Sequence, residues 1–291
     1  MDKNIALSYL VTTRNKLPYL RVTLERLISE KKDDENILVA DGASTDGTKE
    51  YLDGLKKSGG IDYYVSEADS GVAHALNKLM LVSKGELLKF IADDDAFHYP
   101  SIQACKRFML ERPEIDLINT EGGVVNSNNT FKALHYAEDY KKYKNDHTPF
   151  SFCELGVMFR RSSLPIIGLR NSFKRADMEM SLRVTTGKAK IAWYTGYSYV
   201  NIVNSQSISH VHKKEIKKET DRLNKFYLGK DPDNLFVEKL KVARNKLRML
   251  LSERKNRRAG ASESKWTNLL LSADRWLEAQ NAKMKPEFIY N

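Results

Sequence analysis

Three consecutive aspartates, Asp93-Asp94-Asp95, end an apolar run from Leu87 to Ala92. Adjacent carboxylates repel one another, and a divalent cation bridging them to a diphosphate relieves the repulsion. Mg²⁺ and Mn²⁺ suit that task because they take few protein oxygens and fill their shell with phosphate and water. Alone, a triple Asp also reads as a solvated turn or a helix cap ahead of Pro100. A second cluster, Asp41-Gly42-Ala43-Ser44-Thr45-Asp46-Gly47-Thr48, follows the apolar run Ile37–Ala40 and shifts the balance. Gly42 permits a sharp turn or a close approach to a ligand. Asp41 is placed to accept a hydrogen bond from a base or ribose, while Thr45 or Asp46 suits the cap of the next helix. A third cluster, Glu67 to Lys78, opens a helix, and helix N-termini attract phosphate. Asp69 and Lys78 are its candidate ligand-binding residues, although a lone Lys78 on such a helix also reads as simply solvated. His210 and His212 form an HxH pair that would face one way on a strand. His210 is thus a candidate metal ligand, against the plainer reading of a surface pair.

These clusters need elements to hold them. Ile5–Thr13, Ile37–Ala40, Ile61–Ser66 and Leu87–Ala92 read as buried strands. Between them, Leu20/Leu24/Leu27/Ile28, Thr48–Leu55 and Val72/Leu76/Leu79/Met80 show helical spacing. Repeated βα units predict a doubly wound, mostly parallel α/β sheet of Rossmann-like kind, whose ligands bind at the carboxyl ends of the strands. All three clusters fall at those ends. Residues 126–149 show no clear period and read as a loop near a substrate. Gly156–Phe159, Ile191–Tyr194 and Tyr197–Ile202 read as short closing strands, and Ala176–Val184 as a helix.

Four ordered motifs resemble those of the family 2 glycosyltransferases with the GT-A fold. They are Thr12-Thr13-Arg14-Asn15, Asp41 to Thr48, Asp69 to Lys78 and Ala92 to Asp95. Arg175-Ala176-Asp177-Met178-Glu179-Met180-Ser181-Leu182-Arg183 is similar to a further helix of the family, and the resemblance spans residues 4 to about 210. It implies a GT-A nucleotide-sugar-binding catalytic domain. Thr12 and Asp41 would contact base and ribose, with Arg14 stacking where the family often has an aromatic ring. Asp93, Asp94 and Asp95 would form the DxD-type site, Asp95 being the foremost ligand of Mn²⁺ or Mg²⁺. Asp177 would be the general base of an inverting transfer from a nucleotide sugar, a UDP-sugar foremost, to a saccharide or lipid-linked acceptor in cell-surface polysaccharide synthesis. The transferred unit would be a hexose or N-acetylhexosamine. The chain departs from the family at Ala73-His74, where Tyr-Asp is usual, and at Leu79, where glycine is usual. Two competing readings are a sugar-nucleotide nucleotidyltransferase and an inactive basic binding module. Against the first, Thr12 to Pro18 lacks glycine.

The chain has 291 residues, 41% of them apolar, which suits one large domain or a core with an appendage and excludes a disordered chain. No run of 18 apolar residues spans a bilayer, and Cys105 and Cys153 lack zinc-site spacing. Reduced thiols and a cytoplasmic setting are expected. Net charge is +10, and residues 213–258 hold 16 Lys/Arg against 7 Asp/Glu. The expected division is a catalytic domain over 1–212 and a basic, amphipathic helical extension over 213–291. Phe236, Leu240, Ala243, Leu247 and Leu250 form one apolar stripe, and Trp266, Leu269, Leu270, Ala273 and Leu277 another. Basic residues beside apolar stripes fit an anionic membrane surface on the inner face of the plasma membrane. Packing on the core or in a homo-oligomer is the alternative, and nucleic acid is not an expected partner.

Overall fold

The computed structural model describes residues 4–187, 189–203, 212–229 and 263–290. Its strands are β1 (Leu7–Thr13), β2 (Glu35–Asp41), β3 (Tyr63–Ser66), β4 (Leu87–Ala92), β5 (Ala96–Phe97), β6 (Leu117–Val125), β7 (Phe131–Leu134), β8 (Met158–Arg160), β9 (Ile191–Ile202) and β10 (Phe288–Ile289). They join one sheet in the order β10-β9-β6-β8-β4-β1-β2-β3, with β5 on β9 and β7 on β6 off that path. β1 runs parallel to β2 and β4, β2 to β3, and β6 to β9. β8 is inserted antiparallel between β4 and β6. The start of β8 therefore lies at the same edge as the ends of the parallel strands.

The helices are α1 (Leu17–Glu30), α2 (Thr48–Lys57), α3 (Val72–Val82), α4 (Tyr99–Leu110), α5 (Ala137–Asp146), α6 (Leu164–Ile167), α7 (Ala176–Thr186), α8 (Lys213–Leu228) and α9 (Glu263–Lys283). Strand alternation divides them between two layers. In β1, Leu7, Tyr9 and Val11 face a core closed by α1 and α4, whereas Leu10 faces one closed by α3 and α7. Burial on both faces is what a central parallel strand requires.

Three expectations need correction. Residues 126–149 carry β7 and α5. Tyr136, Tyr140 and Tyr143 follow helical spacing, and the Tyr140 ring stacks on Trp193 with centroids 5.4 Å apart. The two short closing strands are one, β9, whose pairing with β6 carries a bulge after Thr120. Finally, of the described residues after 212, those from 263 to 290 return to the sheet. In α9, Trp266, Leu269, Leu270, Ala273 and Leu277 are buried against β9 and β5, and β10 pairs with β9. Gly123 makes room for this, because a Cβ there would lie 2.7 Å from the Trp276 ring. Residues 263–290 thus share the core of the sheet, and the second apolar stripe with its tryptophans does not face a membrane. The stripe at 236–250 and His210 lie outside the described residues. Among the described residues no helix is long and apolar enough to cross a membrane, and Cys105 and Cys153 are free thiols.

Candidate active site

The loops after β1 and β2 clasp one another. The Asn15 N–H donates to Ser44 Oγ at 2.7 Å, and the Thr45 N–H donates to Asn15 Oδ1 at 2.8 Å. Asn15 and Ala43 hold positive φ angles of 51° and 57°, a strained state that tends to collect at functional sites. Asp46 accepts from the Thr48 hydroxyl at 2.6 Å and from the Leu17 N–H at 2.9 Å, so it ties the starts of α1 and α2 together. Asp41, 2% exposed, accepts from the Ser66 hydroxyl at 2.7 Å and from the Ser44 N–H and hydroxyl. Asp69 lies over Gly42, where a Cβ would stand 2.8 Å from Asp69 Oδ2 and 3.2 Å from Arg14 Cδ. Asp69 also accepts from the Gly71 N–H at 2.8 Å, fixing the start of α3. Arg14, Asp41 and Asp69 thus gather around the ends of β1 and β2, a shelf with the buried Thr12 beside it on β1.

Beside that shelf opens a cavity of about 340 Å³, within the size range of small-ligand sites. Asp94, Asp95 and Asp177 all line it, although 82 residues separate the last two in sequence. Its other walls are Lys16, the start of α3 (Ser70–Ala73) with Leu76, Phe90 and Ala92 of β4, the turn Cys153–Leu155, Arg170, residues 172–176, Asn201 and Ile202 of β9, and Ile216 of α8. Asp95 accepts from the Ile202 N–H at 2.7 Å and from Asn201 Nδ2 at 3.2 Å. Burial, then the charge of Asp94, pushes its pKa well above the usual carboxylate range. Burial likewise pushes Asp93 up to about 7, against the pull of Lys16. Asp177 sits in the first turn of α7, half-buried, with Arg175 Nε 3.6 Å away.

Two expected members lie elsewhere. Asp93 does not line the cavity; its carboxylate faces Lys16 Nζ at 3.3 Å, and its carbonyl accepts from Thr23. Lys78 is held by Glu67 at 2.8 Å and does not reach the cavity wall. Three members went unseen in the sequence. Lys16 bonds Asp94 at 2.6 Å and, although burial disfavours its charge, Asp93 and Asp94 together raise its pKa. It is also the N-cap residue of α1, where a cation opposes the helix dipole, and that misplaced charge was the available signal. Glu154 and Arg170 pair inside the cavity wall, and their sequence surroundings carry no period that would have flagged them. The Cys153 thiol also lines the cavity, but burial pushes it up to about 12, so it is no nucleophile at neutral pH.

The donor set can be weighed on these facts. Asp94 and Asp95 offer hard oxygens at the cavity wall, and both side chains are buried. Among the described residues no three His, Cys, Asp or Glu side chains are arranged to enclose an ion by themselves. Two carboxylates beside an open cavity suit a divalent cation whose shell is completed by phosphate and water.

Residues 8–165, just over half of the chain, match the model of glycosyl transferase family 2. The chain belongs to that family. TuaG of Bacillus subtilis (strain 168), named for a glycosyltransferase role in teichuronic acid biosynthesis, is 26% identical over 106 residues. That match covers 36% of this chain and 42% of TuaG, so it spans less than half of the relative's length. Among solved structures, S. aureus TarS 1–349 in complex with UDP-GlcNAc superposes with a TM-score of 0.58 at 14% identity, covering 95% of this chain and 84% of that one. The mannosyltransferase PcManGT from Pyrobaculum calidifontis, in complex with GDP-Man and Mn²⁺, gives 0.55 at 17% identity, covering 95% and 73%. These likenesses establish the GT-A type of fold. Membership of family 2 speaks against the nucleotidyltransferase reading.

Proposed function

We propose that this family 2 glycosyltransferase moves a neutral hexosyl or N-acetylhexosaminyl unit from a UDP-sugar to a saccharide or lipid-linked acceptor, with inversion, in the synthesis of a cell-surface polysaccharide. The observation that carries the proposal is the single cavity lined by Asp94, Asp95 and Asp177 beside the start of α3. The UDP-GlcNAc complex of TarS and the polysaccharide role in TuaG's name support the choice of donor and product.

In this reading the base and ribose rest on the shelf of Arg14, Asp41 and Asp69, beside Thr12. The diphosphate lies over Asp94 and Asp95, near the N–H groups at the start of α3, which favour anions. A divalent ion, Mn²⁺ or Mg²⁺, held by Asp95 and Asp94 would neutralise the charge that grows on the leaving diphosphate. Asp93 stands behind them, and Lys16 offsets the charge that it and Asp94 carry. Asp177 takes the proton from the acceptor hydroxyl as the new bond forms, on the face opposite the departing diphosphate. One base and one displacement give inversion at the anomeric carbon. An anionic membrane surface, met through the exposed lysines of α8, would bring the enzyme to a lipid-linked acceptor.

The test is a thermal-shift screen of UDP, GDP, CMP and dTDP with Mn²⁺, followed by turnover of the matching sugar nucleotides with and without EDTA. UDP is expected to raise the melting temperature most. EDTA and Asp95→Ala are each expected to abolish turnover. Full activity in EDTA would show the metal-dependent mechanism to be wrong.

A further inference from the structure

The sheet order arranges the cavity in one direction. The shelf stands at the ends of β2 and β1, Asp94 and Asp95 follow β4, and the turn Glu154–Gly156 leads into β8, next after β4. A nucleotide sugar with its base on the shelf and its diphosphate at Asp94 and Asp95 carries its sugar onward, toward Glu154.

What waits there is a prepared carboxylate. Glu154 lines the cavity with its side chain 13% exposed, and Arg170 Nε donates to its Oε1. Arg170 is itself 1% exposed at the side chain and lies over the Phe159 ring. Its backbone is fixed on both sides by Asn77 of α3, which receives the Arg170 N–H at 2.8 Å and donates to the Arg170 carbonyl at 2.7 Å. The turn behind Glu154 is held as well, since the wholly buried Lys89 donates to the carbonyls of Leu155 and Val157. Glu154 Oε2 receives no hydrogen bond from any described residue. A rigid acceptor with an open lone pair, facing a cavity, suits a hydroxyl donor.

We infer that Glu154, aimed by Arg170, is a specificity residue that accepts a hydrogen bond from a ring hydroxyl of the transferred sugar and thereby selects neutral sugars against uronates. The inference rests on the proposed donor reading. A sugar carboxylate in this position would meet Glu154, with Asp95 and Asp177 in the same cavity. Of the cations in the cavity wall, Lys16 is engaged by Asp93 and Asp94, Arg170 Nε by Glu154, and Arg175 faces Asp177 at 3.6 Å, while Arg170 Nη2 and Arg175 Nε carry no hydrogen bond among the described residues. Lys174 stands exposed at the rim.

The experiment compares donor cleavage of UDP-glucose, UDP-galactose, UDP-GlcNAc and UDP-GalNAc with that of UDP-glucuronate and UDP-galacturonate, in wild type and Glu154→Gln. Calorimetric binding of UDP reports on the nucleotide subsite in each. A neutral sugar is expected to be the best wild-type donor. Glu154→Gln is expected to lower its kcat/KM by about 10- to 100-fold, the worth of one charge-assisted hydrogen bond, with UDP affinity unchanged. The margin over the matching uronate should shrink. A uronate as best wild-type donor overturns the inference without any variant, and so does a Gln variant with normal kcat/KM. Failure of every sugar nucleotide to bind or turn over would overturn the donor reading itself.

Discussion

A general base acts on the proton of one hydroxyl, so its removal should cost rate and spare nucleotide binding. Asp177 fits that separation. It lines the cavity from α7, whereas Asp41 and Asp69 sit on the shelf across β1 and β2. Asp177→Asn keeps the size of the side chain and removes its basicity. The expected result is a kcat lowered by about 10²- to 10⁴-fold with UDP affinity unchanged, and a wild-type product of inverted configuration by NMR. A near-normal rate, or retention, would assign the base role elsewhere. At this scale the motif residues were legible because chemistry dictates their type: carboxylates for a cation, glycine where Asp69 presses on the backbone. Sequence alone does not place Asp93 or Lys78, because only packing decides which of three adjacent aspartates faces the cavity and whether Lys78 reaches a phosphate or Glu67. Glu154 and Arg170 meet across 16 residues of irregular chain, a contact that no local pattern encodes.

Elements at the cavity edge depend on groups buried beneath them, and Lys89 is the clearest. It lies on β4 with no carboxylate bonded to it, holding the carbonyls of the turn that carries Glu154. Burial pulls its pKa down to about 8 from an ordinary value near 10.5. With the folded value depressed, the folded protein binds fewer protons than the unfolded chain between those two pH values. Stability therefore rises with pH across that window, and the cost of the buried charge is fully present below pH 8. The measurement is denaturant unfolding of wild type and Lys89→Met at pH 7 and pH 10. The difference between the two proteins should shift in favour of wild type by up to about 3 kcal/mol as pH rises. A pH-independent difference would show that Lys89 does not titrate there. The strands and helices of the first hundred residues were legible because both faces of the sheet are buried, which yields plain apolar runs. Helix α5 was missed because its stripe is built of tyrosines within a charged sequence, AEDYKKYKND, which lacks the aliphatic period that marks a helix.

At the scale of the molecule, the tail of the chain both completes the core and carries the excess charge, and the two roles separate by segment. In α9, Trp266 is 2% exposed, and its indole N–H donates at 2.9 Å to the carbonyl of Asp94, so this helix backs the Asp93–Asp95 loop directly. Trp266→Ala is expected to cost about 3–5 kcal/mol, the usual loss for a buried tryptophan. Truncation after His212 would strip α9 and β10 from β9 as well, leaving a damaged core. That rules out truncation as a test of membrane binding, and the charges must be changed in place. The sequence showed two amphipathic stripes but could not tell a face that packs on β9 from one that meets lipid, because both need the same apolar period. The structure leaves α8 as the described candidate. Lys214, Lys217, Lys218, Arg222 and Lys225 are exposed on it, next to Phe226, which is 80% exposed. Each basic residue close to an anionic surface contributes roughly 1 kcal/mol, screened by salt. The full chain is therefore expected to sediment with phosphatidylglycerol-rich vesicles at low ionic strength and to be released by salt. Lys214→Glu, Lys217→Glu and Lys218→Glu together should abolish sedimentation while unfolding stability stays within about 1 kcal/mol of wild type, as surface substitutions do. Wild-type protein that remains in the supernatant would leave α8 a packing helix against α7, where Leu223 already meets Met178 and Leu182.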